Sequence, residues 1–258
     1  IFQNIDIKDL EHLCDCDYVV NFAAESHVGN SIVKSDEFIN TNIIGVKNLL
    51  DLIRFKQENC NRRPILFHIS TDEVYGDITA GEHTEEDLLK PSNPYSASKA
   101  SGDMLILAWA RTYGLNYVIM RPTNNYGIGQ YPEKLIPLSV KNLRRGLNIR
   151  LHNNGTPVRN WLHADDTAEA ALCVIESGNV NEIYNISGNF EQTNIEMSKL
   201  IREWAKDTFI QMNNPAFICS TIQKWETKTL NLLSNLIHWS NYYQKVRLKE
   251  VQLPQKLG

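Results

Sequence analysis

Ile65-Leu66-Phe67-His68-Ile69-Ser70-Thr71-Asp72-Glu73-Val74-Tyr75-Gly76 joins a short, nearly continuous apolar run to the polar triplet Thr71-Asp72-Glu73. A run that does not alternate suits a parallel strand covered on both faces. Two companions have the same character, Tyr18-Val19-Val20-Asn21-Phe22-Ala23-Ala24 and Tyr117-Val118-Ile119-Met120. Helical periodicity fills the gaps between them. Ile39, Ile43, Val46, Leu50 and Ile53 make one apolar stripe, and Ala97, Ala100, Met104 and Leu107 make a second. Asn93 can cap the second helix, Pro94 suits its first position and Gly114 its exit. Strand–helix–strand order at this spacing predicts a doubly wound, parallel α/β sheet, with ligands at the carboxyl ends of the strands.

The 258 residues are 42% hydrophobic and 22% charged, enough for a sizeable buried core. A net charge of −4 and an isoelectric point near 6.0 argue against nucleic acid as the main partner. Arg62-Arg63 and Arg144-Arg145 read as solvated helix ends. The cysteines, Cys14, Cys16, Cys60, Cys173 and Cys219, are scattered, and no second pair or His cluster completes a zinc site around Cys14-x-Cys16. No metal is expected, and free thiols point to a reducing compartment, the cytoplasm. No apolar run approaches ~20 residues, so no membrane span is expected. Asp165–Glu176 reads as a further helix, Ile183–Ile186 as a short strand and Leu230–Ile237 as a helical piece. The expected division is a main sheet over 1–128 bearing the catalytic residues, a smaller substrate-binding region over 129–205 interleaved with that sheet, and an atypical tail over 206–258.

Tyr95 and Lys99 stand four apart at the start of a helix and so share a face. An ammonium beside a phenol favours the phenolate and lowers its pKa from ~10, which makes Tyr95 a candidate base. Tyr-x-x-x-Lys alone is common by chance. Thr71-Asp72-Glu73 adds weight, since consecutive polar side chains at the carboxyl end of a strand project into the sheet's crevice. A turn or helix cap built on Ser70 or Thr71 is the plainer alternative. Two adjacent carboxyls in a crevice can divide the roles of acid and base.

On these residues the chain resembles the extended short-chain dehydrogenase/reductase family, with its Rossmann sheet. Within it, Thr71-Asp72-Glu73 followed by Val74-Tyr75-Gly76 resembles the dTDP-glucose 4,6-dehydratases. The resemblance covers about residues 1–205. It implies an NAD cofactor contacted by Asp6, Ile7, Phe22, Ala23, Ala24, Glu25, Ser26, Thr41, Asn125, Tyr95 and Lys99. It implies a nucleotide-sugar substrate contacted by Ser26, Thr71, Asn124, Lys134, Leu135, Arg159 and Asn194, with Arg159 on the diphosphate. It also implies a homodimer paired through helices that include the one bearing Tyr95.

The implied reaction is a lyase cycle. Tyr95 removes the proton of the sugar 4-hydroxyl as hydride leaves C4, Thr71 holds that oxygen, and Lys99 supports the phenolate and the nicotinamide ribose. Glu73 then takes the C5 proton, Asp72 protonates the departing 6-hydroxyl, and hydride returns to C6. The product is a 4-keto-6-deoxy sugar nucleotide. Members of the family open with a strand and a Gly-rich turn that cradles the NAD pyrophosphate. Here the first glycine is Gly29, so the N-terminal segment is expected to be absent from this sequence. Nothing after Lys206 resembles the family's Arg-Pro-Gly-x-Asp-x-Arg-Tyr segment. Two alternatives remain: a UDP-glucose 4,6-dehydratase, or a non-catalytic relic that binds a sugar nucleotide.

Overall fold

In a computed structural model of the protein, residues 3–78 and 81–212 are described. Four parallel strands, β1 (Tyr18–Asn21), β2 (Ile65–Ile69), β3 (Tyr117–Pro122) and β6 (Glu182–Ile186), form one sheet in the order β1-β2-β3-β6. Between β1 and β2 run α1 (Val28–Val33), α2 (Ser35–Ile39), a π-helical turn (Asn40–Gly45) and α3 (Val46–Asn59). Helix α4 (Pro94–Tyr113) links β2 to β3, and α6 (Ala164–Ser177) precedes β6. This is the expected doubly wound parallel arrangement. Its core packs Val46, Leu50 and Ile53 of α3 and Ile106 of α4 against Leu66 of β2 and Ile119 of β3.

The chain divides into two compact units. Of the described residues, the first takes those up to Thr123 together with Ala168–Ile186; the second takes Asn124–Thr167 and those from Ser187 to Met212. The second unit contains β4 (Asn124–Tyr126), β5 (Val158–His163) and β7 (Glu191–Thr193), with β5 central, parallel to β4 and antiparallel to β7. With α5 (Leu135–Arg144) and α7 (Asn194–Met212) it closes a core on Tyr126, Trp161, Met197 and Ile201.

Helix α4 has the expected punctuation. The Asn93 side chain accepts from the Ser96 amide, the Ser96 hydroxyl meets the Asn93 amide in return, Pro94 stands at the first turn, and Gly114 leaves the helix at φ +67°. Its buried face is only in part the expected one. Ala100 is buried and Leu107 packs at the edge of the core, but Met104 is 55% exposed, while Tyr95, Ser98, Lys99, Gly102, Asp103 and Ile106 turn inward. A stripe chosen by hydrophobicity passes over polar side chains that are buried because they have partners.

The same reason corrects the start of the other stripe. Ile39 is 44% exposed, whereas Phe38 and Asn42 are buried. Asn42 faces inward because its amide holds the backbone of Glu25 through both its N–H and its carbonyl, and donates to Ser98. The first strand also stops earlier than expected. The Asn21 side chain accepts from the Ala23 amide at 3.1 Å, which takes the chain out of the ladder after Asn21, and Phe22 is 63% exposed. Val20 is also exposed, so among the described residues β1 is not covered on both faces. The helical piece expected at Leu230–Ile237 lies outside the described residues. Among the described residues, no helix is long and apolar enough to cross a membrane, and no cluster of three or more His, Cys, Asp or Glu could hold a metal ion.

Candidate active site

The carboxyl end of β2 delivers the chain into a 3-10 turn, Asp72–Tyr75. Thr71 caps that turn, its Oγ1 accepting from the Glu73 amide at 3.3 Å and donating to Asp72 Oδ1 at 3.2 Å. The plainer cap reading is thus borne out, with Thr71 serving as the cap at the carboxyl end of β2. Thr71 is buried, while Asp72 and Glu73 are half-buried. Asn93, the cap of α4, also reaches Glu73 Oε2 with its Nδ2 at 3.5 Å. One asparagine therefore both starts the helix that bears Tyr95 and holds a carboxylate of the doublet.

Tyr95 is buried, and its amide donates to Ser31 Oγ at 3.1 Å. Its phenol is pushed above the ordinary tyrosine range, first by burial and then by the charge of Glu73, with Asp72 and Asp103 adding to this; the Thr71 hydroxyl pulls the other way. This corrects the expectation that Lys99 lowers the phenol. Lys99 is engaged elsewhere: its Nζ donates to the Ile69 carbonyl at 2.7 Å and meets His68 Nε2 at 3.2 Å. Burial pulls Lys99 down to about 8, with Asp103 opposing. The resting arrangement therefore favours a neutral phenol.

Behind this pair lies a buried polar chain that apolar patterning passed over. His68 Nδ1 meets Asn21 Nδ2 at 3.0 Å, and Asp103 Oδ2 accepts from Arg121 Nε at 3.0 Å. Arg121 Nη1 donates to the Tyr75 hydroxyl at 2.7 Å, which donates to Asn185 Oδ1 at 2.8 Å. Burial, and then the Lys99 charge, keeps His68 well below its usual range, hence neutral. Asp103 is raised by burial, against the pull of Arg121, Ser70 and Lys99. The signal available in the sequence was a histidine inside an apolar strand and an aspartate one turn beyond Lys99.

The expected cofactor residues of the first unit lie along its loops. Phe22, Ala23, Ala24 and Ser26 are exposed after β1, Glu25 is half-buried and held by Asn42, and Thr41 is half-buried in the π-helical turn. Asp6 caps the 3-10 turn Ile7–Asp9 and pairs with Lys8 at 3.1 Å, and the Ile7 carbonyl accepts from Asn48. The remaining expected residues belong to the second unit. Asn124 and Asn125 pair with Trp161 and Leu162 across β4 and β5. Lys134 is the N-cap of α5, and Leu135 opens that helix, packed on the Trp161 core. The Arg159 guanidinium donates to the Val158 carbonyl at 3.1 Å. The Asn194 amide donates to the Pro157 carbonyl at 3.0 Å. Asn160 had no expected role; it ties β5 to Gly188 by accepting from that residue's amide and donating to its carbonyl.

The model of the NAD dependent epimerase/dehydratase family matches residues 2–187. The chain is 41% identical over 213 residues to a dTDP-glucose 4,6-dehydratase of Haemophilus influenzae, covering 78% of this chain and 63% of the relative. It is 44% identical over 212 residues to one of Neisseria meningitidis, covering 78% and 60%. Among solved structures it is similar to a dTDP-glucose 4,6-dehydratase of Streptomyces venezuelae with NAD bound, at TM-score 0.69 and 43% identity over 72% of this chain and 56% of that one. A UDP-glucose 4-epimerase of Thermotoga maritima is similar at TM-score 0.66 and 28% identity, covering 74% and 61%. The chain spans less than two thirds of the length of each of these relatives.

Proposed function

Because the chain belongs to the NAD dependent epimerase/dehydratase family, we propose that it carries the catalytic centre of an NAD-dependent dTDP-glucose 4,6-dehydratase, a hydro-lyase that makes dTDP-4-keto-6-deoxyglucose. One observation carries this reading: the Asp72-Glu73 doublet is held beside a buried Tyr95 at the end of β2, with Thr71 touching both Asp72 and the phenol. An epimerase has no need of two carboxyls for elimination.

The residues present fit NAD. The exposed Phe22-Ala23-Ala24 segment offers an apolar ledge with small side chains, and Lys99 and the Tyr95 hydroxyl are donors suited to a ribose. Lys99 and Tyr95 would hold the nicotinamide ribose, and bound NAD would supply a hydride acceptor for C4 and a hydride donor for C6. Tyr95 Oη, which is neutral at rest and must first be a phenolate, takes the proton of the 4-hydroxyl while Thr71 Oγ1 holds the same oxygen. The 4-ketone acidifies C5–H, the Glu73 carboxylate removes that proton, and Asp72 delivers one to the 6-oxygen, which departs as water. Arg159, Asn124, Lys134, Leu135 and Asn194 are the proposed contacts for the sugar nucleotide.

A homodimer is part of the proposal. A groove of about 890 Å³ runs along α4 past Leu88, Leu89, Ala97, Ala100 and Met104. Leu88 and Met104 on its rim are 76% and 55% exposed, which supports a partner on this face. Free thiols at Cys14, Cys16, Cys60 and Cys173 support a cytoplasmic setting. The test is incubation with NAD⁺ and dTDP-glucose, followed by detection of the 4-keto-6-deoxy product. Turnover on UDP-glucose instead would transfer the reading to that nucleotide, and no product from either would refute it.

A further inference from the structure

The turn that carries Asp72 and Glu73 is weakly bonded along its own backbone. The Val74 amide reaches the Thr71 carbonyl at 3.5 Å, and the Gly76 amide the Glu73 carbonyl at 3.2 Å. A 3-10 turn this short depends on what holds its ends. Thr71 and Asn93 hold the start. Tyr75 holds the finish, with its ring buried against His83 at 4.9 Å between centroids, and the Arg121 guanidinium carbon 4.9 Å from the ring centre. The Tyr75 hydroxyl accepts from Arg121 Nη1 at 2.7 Å and donates to Asn185 Oδ1 at 2.8 Å. Arg121 and Asn185 are register partners on β3 and β6, so their side chains emerge on one face of the sheet and converge on that oxygen. The Asn185 amide is oriented by its other contact: Nδ2 donates to the His83 carbonyl at 3.4 Å, which leaves Oδ1 for the phenol. Burial raises the phenol, with Arg121 opposing, so the hydroxyl keeps the hydrogen that it gives to Asn185.

We propose that Tyr75 is a positioning residue for the elimination half of the reaction: its hydroxyl, held between Arg121 and Asn185, fixes the turn that aims Asp72 and Glu73. Asp72 and Tyr75 stand three apart, one full turn of a 3-10 helix, so their side chains share an edge. Anchoring Tyr75 therefore sets the rotation of the turn, and with it the direction of Asp72. The tie extends in two directions. Arg121 is paired with Asp103 of α4 at 3.0 Å, which links the turn to the helix bearing Tyr95 and Lys99. The Asn185 backbone amide donates to Glu85 Oε1 at 2.9 Å, which clamps the segment whose His83 covers the Tyr75 ring. Oxidation at C4 uses Tyr95 and Lys99, which α4 places, whereas proton removal from C5 and protonation of the 6-oxygen use the two carboxyls that the turn places. Loss of the hydroxyl should then fall on the second half of the cycle. That division rests on the proposed function, whereas the tie itself does not.

Tyr75→Phe keeps the ring and removes the hydroxyl. Amide hydrogen exchange in the purified protein reads the turn directly. The Gly76 and Lys90 amides, which bond to the Glu73 and Val74 carbonyls, should exchange at least about tenfold faster, while the Leu66 amide of β2 keeps its wild-type rate. Turn amides that are unmoved, or accelerated no more than Leu66, would overturn the proposal. In a single turnover with NAD⁺ and dTDP-glucose, NADH should appear at close to the wild-type rate and disappear about tenfold or more slowly. Equal slowing of both phases, or an unslowed second phase, would also overturn it, because a general loss of structure has no reason to spare oxidation. Asn185→Ala removes the same acceptor from outside the turn and should give the same division; if Tyr75→Phe does not fold, this variant decides alone. The expected exchange pattern, found beside a wild-type protein that forms no keto-sugar, would refute the function and leave the tie standing.

Discussion

Replacing Asp103 by Asn should cost far more stability than its size suggests. Arg121 is the largest fully buried side chain among the described residues, at 2% exposure, and its ion-pair partner Asp103 is at 0%. The pair closes at 3.0 Å. A guanidinium cannot shed its proton inside a protein, so Asp103→Asn leaves a buried charge without its counter-charge, a loss of about 3–5 kcal/mol. For a chain of this size that corresponds to a fall in Tm of roughly 6–20 °C. The opposite truncation, Arg121→Met, should behave differently, because a carboxyl can escape by protonating. Asp103 is already raised by burial, and losing Arg121 removes the largest influence holding it down. A carboxyl whose folded pKa lies above its unfolded value stabilises fully below the unfolded pKa and loses that contribution as pH rises through the folded one. Arg121→Met should therefore recover stability relative to wild type as the pH is lowered toward the ordinary carboxylate range, while Asp103→Asn should not. Urea unfolding followed by circular dichroism across that range measures both. A cost below about 1 kcal/mol for Asp103→Asn, or parallel pH profiles for the two variants, would refute the reasoning.

Asp72→Asn should spare oxidation at C4 and slow water loss, by about 10²–10⁴-fold if Asp72 is the acid; accumulation of NADH absorbance in a single turnover measures this, and unimpaired dehydration would remove Asp72 from the role. Glu73→Gln deletes the largest charge raising Tyr95, so the phenol should titrate at lower pH; an ultraviolet difference titration against Tyr95→Phe reads it, and an unchanged or higher midpoint would contradict the assigned cause. Gly76→Ala meets two obstacles, a backbone at φ +86° and a Cβ that would collide with the Lys90 carbonyl oxygen. A loss of at least ~1–3 kcal/mol is expected in chemical unfolding, together with weakened activity because the 3-10 turn bearing Asp72 and Glu73 ends there.

The elements legible in the amino-acid sequence rest on local physics. Ile65–Ile69 is a strand because its run is continuous, and α4 begins at Pro94 and leaves through Gly114 because Asn93, Pro94 and Gly114 each satisfy a terminus within a few residues. Stripe positions fail where burial follows pairing and not hydrophobicity. Asn42, Lys99 and Asp103 take inward positions that a count of apolar residues gives to Ile39, Met104 and Leu107.

Local sequence is enough for the parallel α/β sheet, the caps of its central helix, and the nearness of Thr71, Asp72 and Glu73 to one another, since a strand end and a single turn suffice for these. Tertiary structure alone decides what surrounds the reactive groups. The register that sets Asn21 beside His68, and His68 beside Ile119, brings three strands and α4 around Lys99. Proton affinity depends on desolvation and on charges a few ångströms away, and residues 31 and 47 positions apart in the chain become neighbours only when the sheet forms. For that reason the Tyr95–Lys99 spacing is readable in the chain, but the raised phenol and the lysine turned toward an imidazole are not.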